Sequence, residues 1–185
     1  MWDLFGPKPR EGTEAYRIQE EVRKRKKIAE EKGVKELISQ LYFDHLQYFP
    51  SWIKQSGKYV PKLIDSAQEE TNNEKKVVLI SFKGKTYKFE FVEHSFSTPD
   101  DYCTHGLLEL FAHERKCLAI NVSLEHGEYD SKWTPFDIKA FIDGDWIDDF
   151  KCLKKAIQEN DKLRETEQAE DPKKIEELKN DFGIE

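Results

Sequence analysis

Between Val77 and Ile157 the sequence changes its hydrophobic period once. Up to Ile142 short apolar runs alternate with polar residues, and after Gly144-Asp145-Trp146 the apolar residues recur three and four positions apart. Alternation puts successive side chains on opposite sides of a strand, whereas three-and-four spacing lines one face of a helix. A chain written in this order has to lay a helix across one face of an antiparallel sheet.

The strands follow from turn chemistry. Val77 to Phe82 and Thr86 to Val92 flank Lys83-Gly84-Lys85, and Leu107 to Ala112 and Cys117 to Leu124 flank His113-Glu114-Arg115-Lys116, so the spacing predicts two hairpins. In the last of these runs Leu118, Ile120, Val122 and Leu124 alternate with Ala119, Asn121 and Ser123, giving one core face and one polar face. Phe136, Ile138, Ala140 and Ile142 read as a fifth strand, with a helix opened by Thr134-Pro135 as the alternative. Asp145 then stands where an N-cap belongs, ahead of a helix that turns Trp146-Ile147, Phe150, Leu153 and Ile157 inward.

Helices precede the sheet. Gly6, Pro7, Pro9 and Gly12 break the first residues into an irregular lead-in, and Thr13 caps an arm helix with a narrow stripe of Ala15, Ile18, Val22 and Ile28-Ala29. After Gly33 the stripe widens through Val34, Leu37-Ile38, Leu41-Tyr42, His45-Leu46 and Phe49 until Pro50. Pro61 reads as the start of a brief helix with Leu63, Ile64 and Ala67 inward. The expected organisation is a lead-in and charged arm helix over residues 1–33, a core domain over 34–160, and a charged extension over 161–185 with a short helix restarting at Asp171-Pro172. The expected fold class is α+β: N-terminal helices on an antiparallel sheet of about five strands, closed by a C-terminal amphipathic helix.

Composition narrows the setting. Hydrophobic residues make up 37% of the chain and charged residues 36%, so part of the 185 residues has to be arm or tail. No run approaches the roughly 20 apolar residues that cross a bilayer, and Met1-Trp2-Asp3-Leu4-Phe5-Gly6-Pro7 lacks the basic start and apolar stretch of a secretory signal. Cys103, Cys117 and Cys152 are odd in number and widely spaced, which fits a reducing cytoplasm better than a disulfide framework. The net charge of −7 is uneven, with +3 over residues 8–36 and −8 over residues 125–185. An acidic C-terminal half repels phosphate backbones and suits a basic protein partner.

Motifs for chemistry are sparse. No GxSxG elbow, GxxxxGK[ST] loop or GxGxxG fingerprint occurs. The segment from Glu93 to Gly106 reads as a polar loop between the hairpins, and His94, Asp100, Asp101, Cys103 and His105 are of types that could hold zinc, although their intervals match no HxH, HExxH or CxxC pattern. Asp100 with Glu114-Arg115-Lys116 imitates a metal-dependent nuclease pattern but falls on a turn, where the context is wrong. Arg23-Lys24-Arg25-Lys26-Lys27 is a basic run that could meet phosphates, yet Glu20, Glu21, Glu30 and Glu31 stand at pairing distance along the same helix. The polar loop from Glu125 to Trp133 carries Tyr129 and Trp133, residue types that anchor interfaces.

The functional expectation is a soluble, intracellular, non-enzymatic module that binds a protein through Tyr129 and Trp133 and through Asp143, Asp148 and Asp149 at the exposed start of the last core helix, without a cofactor or a membrane. The alternatives are a metal-dependent hydrolase built on residues 94–105 and a nucleic-acid binder acting through residues 23–27, with nucleic acid the less expected partner. Trp146→Ala is expected to cost about 3–5 kcal/mol, as large aromatic truncations in cores do. Deletion of residues 161–185 should cost far less, and comparable losses in thermal denaturation would show that the core extends past residue 160.

Overall fold

The computed structural model describes residues 10–55, 62–72, 74–97, 102–127, 130–169 and 172–182. Three helices, α1 (Glu14–Glu31), α2 (Val34–Asp44) and α3 (Phe49–Gln55), lead into six strands, β1 (Ile64–Asn72), β2 (Lys75–Phe82), β3 (Lys85–Ser97), β4 (Tyr102–Ala112), β5 (Arg115–His126) and β6 (Ser131–Phe141). Helices α4 (Trp146–Ala169) and α5 (Pro172–Phe182) follow. The strands form one antiparallel meander in the order β1-β2-β3-β4-β5-β6. The fold is therefore α+β as expected, with six strands in place of five.

The hairpin turns are tighter than the flanking runs suggested. Lys83 and Gly84 have φ of 51° and 72°, and His113 and Glu114 have φ of 49° and 64°. Left-handed backbone at both central residues is the type I′ turn, whose twist matches that of the strands it joins.

Several expectations are corrected: the helix expected from Val34 through Phe49 ends at Asp44, with Pro50 inside α3, and the polar loop expected from Glu125 to Trp133 narrows to the connection between His126 and Ser131. The segment after Pro61 is not a helix but the edge strand β1, and the reason lies in its register. Ile64 faces Phe82 and Ala67 faces Ile80, with a shift between Ile64 and Ser66. The extra residue brings two positions three apart onto the same side of a strand, which imitates helical spacing in sequence. The polar loop from Glu93 to Gly106 is likewise strand over most of its length: β3 runs on to Ser97 and β4 begins at Tyr102. His, Ser and Cys contribute no apolar alternation there, so only the pairing reveals it.

The core lies on one face of the sheet. Val78, Ile80 and Phe82 of β2, Tyr87, Phe89 and Phe91 of β3, Leu108 and Leu110 of β4, and Leu118, Ile120 and Val122 of β5 are all buried there. Helices α2 and α4 cover them. From α4, the Phe150 ring stands edge-on to Phe82, Tyr87 and Phe89 at centroid distances of 5.3, 4.9 and 5.7 Å. From α2, Tyr42 stacks on Phe89 at 5.4 Å and Phe43 meets Phe91 edge-on at 5.2 Å. Trp146, Ile147, Phe150, Leu153 and Ile157 form the buried side of α4, and beyond Ile157 none of its described residues is buried. Thr13 caps α1 by accepting from the Tyr16 amide at 3.3 Å, and among the residues of that arm only Ala29 is buried. Ion pairs tie the arm to the core, Lys26 to Asp137 at 3.0 Å and Lys32 to Asp143 at 2.6 Å.

Gly106 is required by the core. A Cβ there would lie 2.5 and 2.8 Å from two carbons of the Phe91 ring. That ring cannot retreat, because Phe43 and Trp133 stand against it at 5.2 and 5.0 Å. Gly106→Ala is therefore expected to destabilise the fold by about 1–3 kcal/mol, the usual cost of overpacking. A urea midpoint equal to wild type would show that the aromatic cluster yields.

Candidate functional site

The residues suggested for a metal are split by the fold. His94 and His105 become direct cross-strand partners on the face of the sheet away from the helices. They border a shallow depression with Leu107, Asn121 and Phe136, whose ring lies 5.8 Å from His105 and is 52% exposed. Asp100 and Asp101 lie outside the described residues, as does the side chain of Cys103 on β4. Among the described residues no three His, Cys, Asp or Glu side chains gather to hold a metal ion. Glu114 sits in a turn and Lys116 forms an ion pair with Glu109, so the nuclease-like pattern is not assembled from them. Cys117 is buried, and burial pushes its thiol up to about 12.

Below that depression the outer face is closed by charge. Glu90 and Glu109 stand directly opposite one another on β3 and β4, an arrangement that repels unless cations intervene. Lys75 and Lys88 reach Glu90 at 2.5 and 2.8 Å, and Lys116 reaches Glu109. Burial alone would raise the Glu90 carboxyl, but the two lysine hydrogen bonds outweigh it and hold the group below the usual range. The Lys88 ammonium lies 4.3 Å above the centre of the Phe111 ring, covering the largest apolar side chain of this row. The basic run on α1 is similarly engaged: Arg23 pairs with Glu20 and Arg25 with Glu21 at 2.8 Å, Lys27 with Glu31 at 3.9 Å, and Lys26 with Asp137.

The three aspartates of the α4 entrance have three different situations. Asp148 is 84% exposed and lies 3.7 Å from Lys151. Asp143 accepts from Lys32 through both oxygens at 2.6 Å, fastening the end of α1. Asp149 is only 13% exposed and accepts from the Tyr87 hydroxyl and from Lys85, each at 2.7 Å, with Lys83 at 3.7 Å. Asp145, the residue before α4, accepts from Lys85 through its carboxylate at 2.7 Å. Lysines of the β2–β3 turn thus clamp the start of the helix to the sheet.

An open cleft remains between α2 and β6. Trp133 is half-buried, stacked on Phe43 at 5.5 Å with an angle of 20° between the rings. Phe43, Trp133 and Pro135 form the floor, and Glu36, Gln40 and Asp44 line one wall opposite Lys132, enclosing about 210 Å³. The wall is a line of exposed polar residues four apart on α2, a spacing visible in sequence but without meaning until β6 is placed beside it. Tyr129 lies outside the described residues.

Neither a protein-family model, nor a curated protein, nor a solved structure matches this chain. No helix among the described residues is long and apolar enough to cross a membrane.

The Asp149 clamp has a pH signature. Burial would raise its carboxyl, but the hydrogen bonds from Lys85 and Tyr87 prevail and lower it. A carboxyl lowered in the folded state stabilises above its unfolded pKa of about 3.9, and that stabilisation disappears as pH falls through the folded value. Asp149→Asn is expected to cost about 1.5–3 kcal/mol near neutral pH, the range for hydrogen bonds to a charged group. In urea titrations the advantage of wild type should shrink below about pH 4. A difference that does not vary with pH would assign Asp149 a purely steric role.

Proposed function

We propose that this chain is a protein-binding module, without chemistry of its own, whose contact surface is the α2–β6 cleft together with the neighbouring β5–β6 connection. The observation that carries this reading is the stacked Phe43–Trp133 pair at the floor of an open cleft with a polar rim. Aromatic anchors surrounded by polar groups are the composition of binding hot spots. Trp133 supplies the rigid apolar floor in this reading, and Tyr129 a second anchor four residues earlier.

The rim sets the partner's chemistry. Glu36 and Asp44 give the α2 wall a negative sign, and the chain carries a net charge of −7. The favoured partner therefore presents an apolar side chain flanked by lysine or arginine. Nucleic acid is disfavoured because cations of the basic run are engaged by carboxylates of the same helix. A cytoplasmic setting belongs to the same reading, supported by three widely spaced cysteines.

Gln40→Arg combined with Asp44→Lys tests the proposal while sparing the core, since both side chains are exposed. Among the described residues the tie lost to another element is the solvent-exposed hydrogen bond that Gln40 accepts from Lys154 at 3.0 Å, which contributes little. Immobilised wild type and variant would be compared on extract of the source cells. The expected result is a protein retained by wild type and lost by the variant, with unchanged thermal denaturation. Identical retention by both would remove the cleft as the contact surface.

A further inference from the structure

The two edges of the sheet are treated differently. β6 is guarded: Pro135 lacks a donor, its pairing with β5 shifts register twice, α1 and α2 pack against it, and Lys26 ties it to the arm. β1 carries no proline, and its one register shift is at its entry, between Ile64 and Ser66. Only Ile64 is buried and Ala67 half-buried along its length. Helix α3 packs against β1 on the core side, where Phe49 and Ile64 are buried in one apolar cluster and Trp52 and Ala67 pack against it.

The free groups of β1 can be assigned from the turn. In a type I′ hairpin the residues flanking the two-residue turn form a hydrogen-bonded pair, here Phe82 and Lys85. Alternation along β2 then points Phe82, Ile80 and Val78 toward β3, and Ser81, Leu79 and Val77 toward β1. Their partners Ser66, Gln68 and Glu70 close the ladder. Ala67, Glu69 and Thr71 therefore direct their N–H and C=O groups away from β2, and among the described residues these groups have no backbone partner.

Charge selects what such an edge would accept. β1 contains Asp65, Glu69 and Glu70 and neither lysine nor arginine; Glu69 already lies 3.6 Å from Lys76 of β2, and Asp65 and Glu70 keep the sign of the strand negative. Antiparallel pairing of two copies would set acids near acids, which is unfavourable across strands. An extended segment bearing lysine or arginine meets the opposite sign.

We propose that β1 is a strand-addition site, at which an extended, basic segment of another protein pairs with Ala67, Glu69 and Thr71 and lengthens the sheet by one strand. The site is separate from the α2–β6 cleft and does not depend on it. The probe is a synthetic peptide as long as β1 that alternates lysine and threonine. Its controls are the glutamate–threonine peptide and the lysine–threonine peptide with every backbone amide N-methylated, because methylating alternate amides alone would leave one edge free to pair. In the free protein the amides of Ala67, Glu69 and Thr71 should exchange with solvent deuterium much faster than those of Ser66, Gln68 and Glu70. At roughly ten times its dissociation constant the lysine–threonine peptide should slow the three outward amides roughly tenfold, in proportion to occupancy.

Both controls should fail to do so, as should binding to Thr71→Pro, whose proline removes only an outward donor. Should that variant not fold, the N-methylated peptide still discriminates with the wild-type protein. Protection of the outward amides before peptide is added would overturn the proposal, since the edge would already be covered. Equal binding of the N-methylated peptide would overturn it in favour of charge attraction alone. A concentration-dependent dimer lost in Thr71→Pro would replace the partner by a second copy. Gln40→Arg with Asp44→Lys should leave peptide binding unchanged, which separates this outcome from that of the cleft.

Discussion

Phe89 is the point on which the two covering helices converge. Tyr42 of α2 stacks on it at 5.4 Å and Phe150 of α4 stands edge-on at 5.7 Å, so one residue of β3 anchors both covering helices to the sheet. The closely packed side chains of the core lie on one face of the sheet, and burial of that face is the main stabilising force available to the fold. Everything else is arranged around this contact. Gly106 lets the neighbouring Phe91 lie flat on β4, and the same ring supports Trp133 at 5.0 Å, which in turn floors the cleft.

Electrostatic ties are layered on the core according to burial. Exposed pairs such as Arg23–Glu20 contribute little, because solvent screens them. The clamp of Asp149 by Tyr87 and Lys85 is worth more, being partly shielded and hydrogen-bonded. It also raises the Tyr87 hydroxyl, mainly through burial and then through the bond to Asp149. On the outer face the alternation of Lys75, Glu90, Lys88, Glu109 and Lys116 keeps an uncovered sheet surface polar.

A meander has two edges, and here each lends itself to a different kind of contact. At β6 the edge is blocked by Pro135 and by packed helices, so what remains is the open cleft that the proposed partner would enter. At β1 the backbone edge has no partner among the described residues, and the proposed basic strand would meet its acidic side chains. The first mode is set by shape and aromatic stacking, the second by main-chain hydrogen bonds and sign of charge. Their positions at opposite ends of the strand order keep them independent.

Much of the architecture was legible in the residues alone. The Thr13 cap, the break at Gly33, both hairpin turns, the inward face of α4 and the restart at Pro172 are local features, and turn chemistry and periodicity encode them within a few residues. The clean alternation of Leu118, Ile120 and Val122 likewise sufficed to orient β5. Other features were decided only in three dimensions. A bulge made β1 look helical, and pairing with β4 turned the polar end of β3 from loop into strand. The cleft joins α2 to β6, and the ties from Lys26 to Asp137 and from Lys32 to Asp143 each join residues 111 positions apart. Periodicity reports which side of an element is apolar, and it carries no record of which distant element will lie against it. That choice belongs to the packing of the whole chain, and with it the location of every surface this protein can offer to a partner.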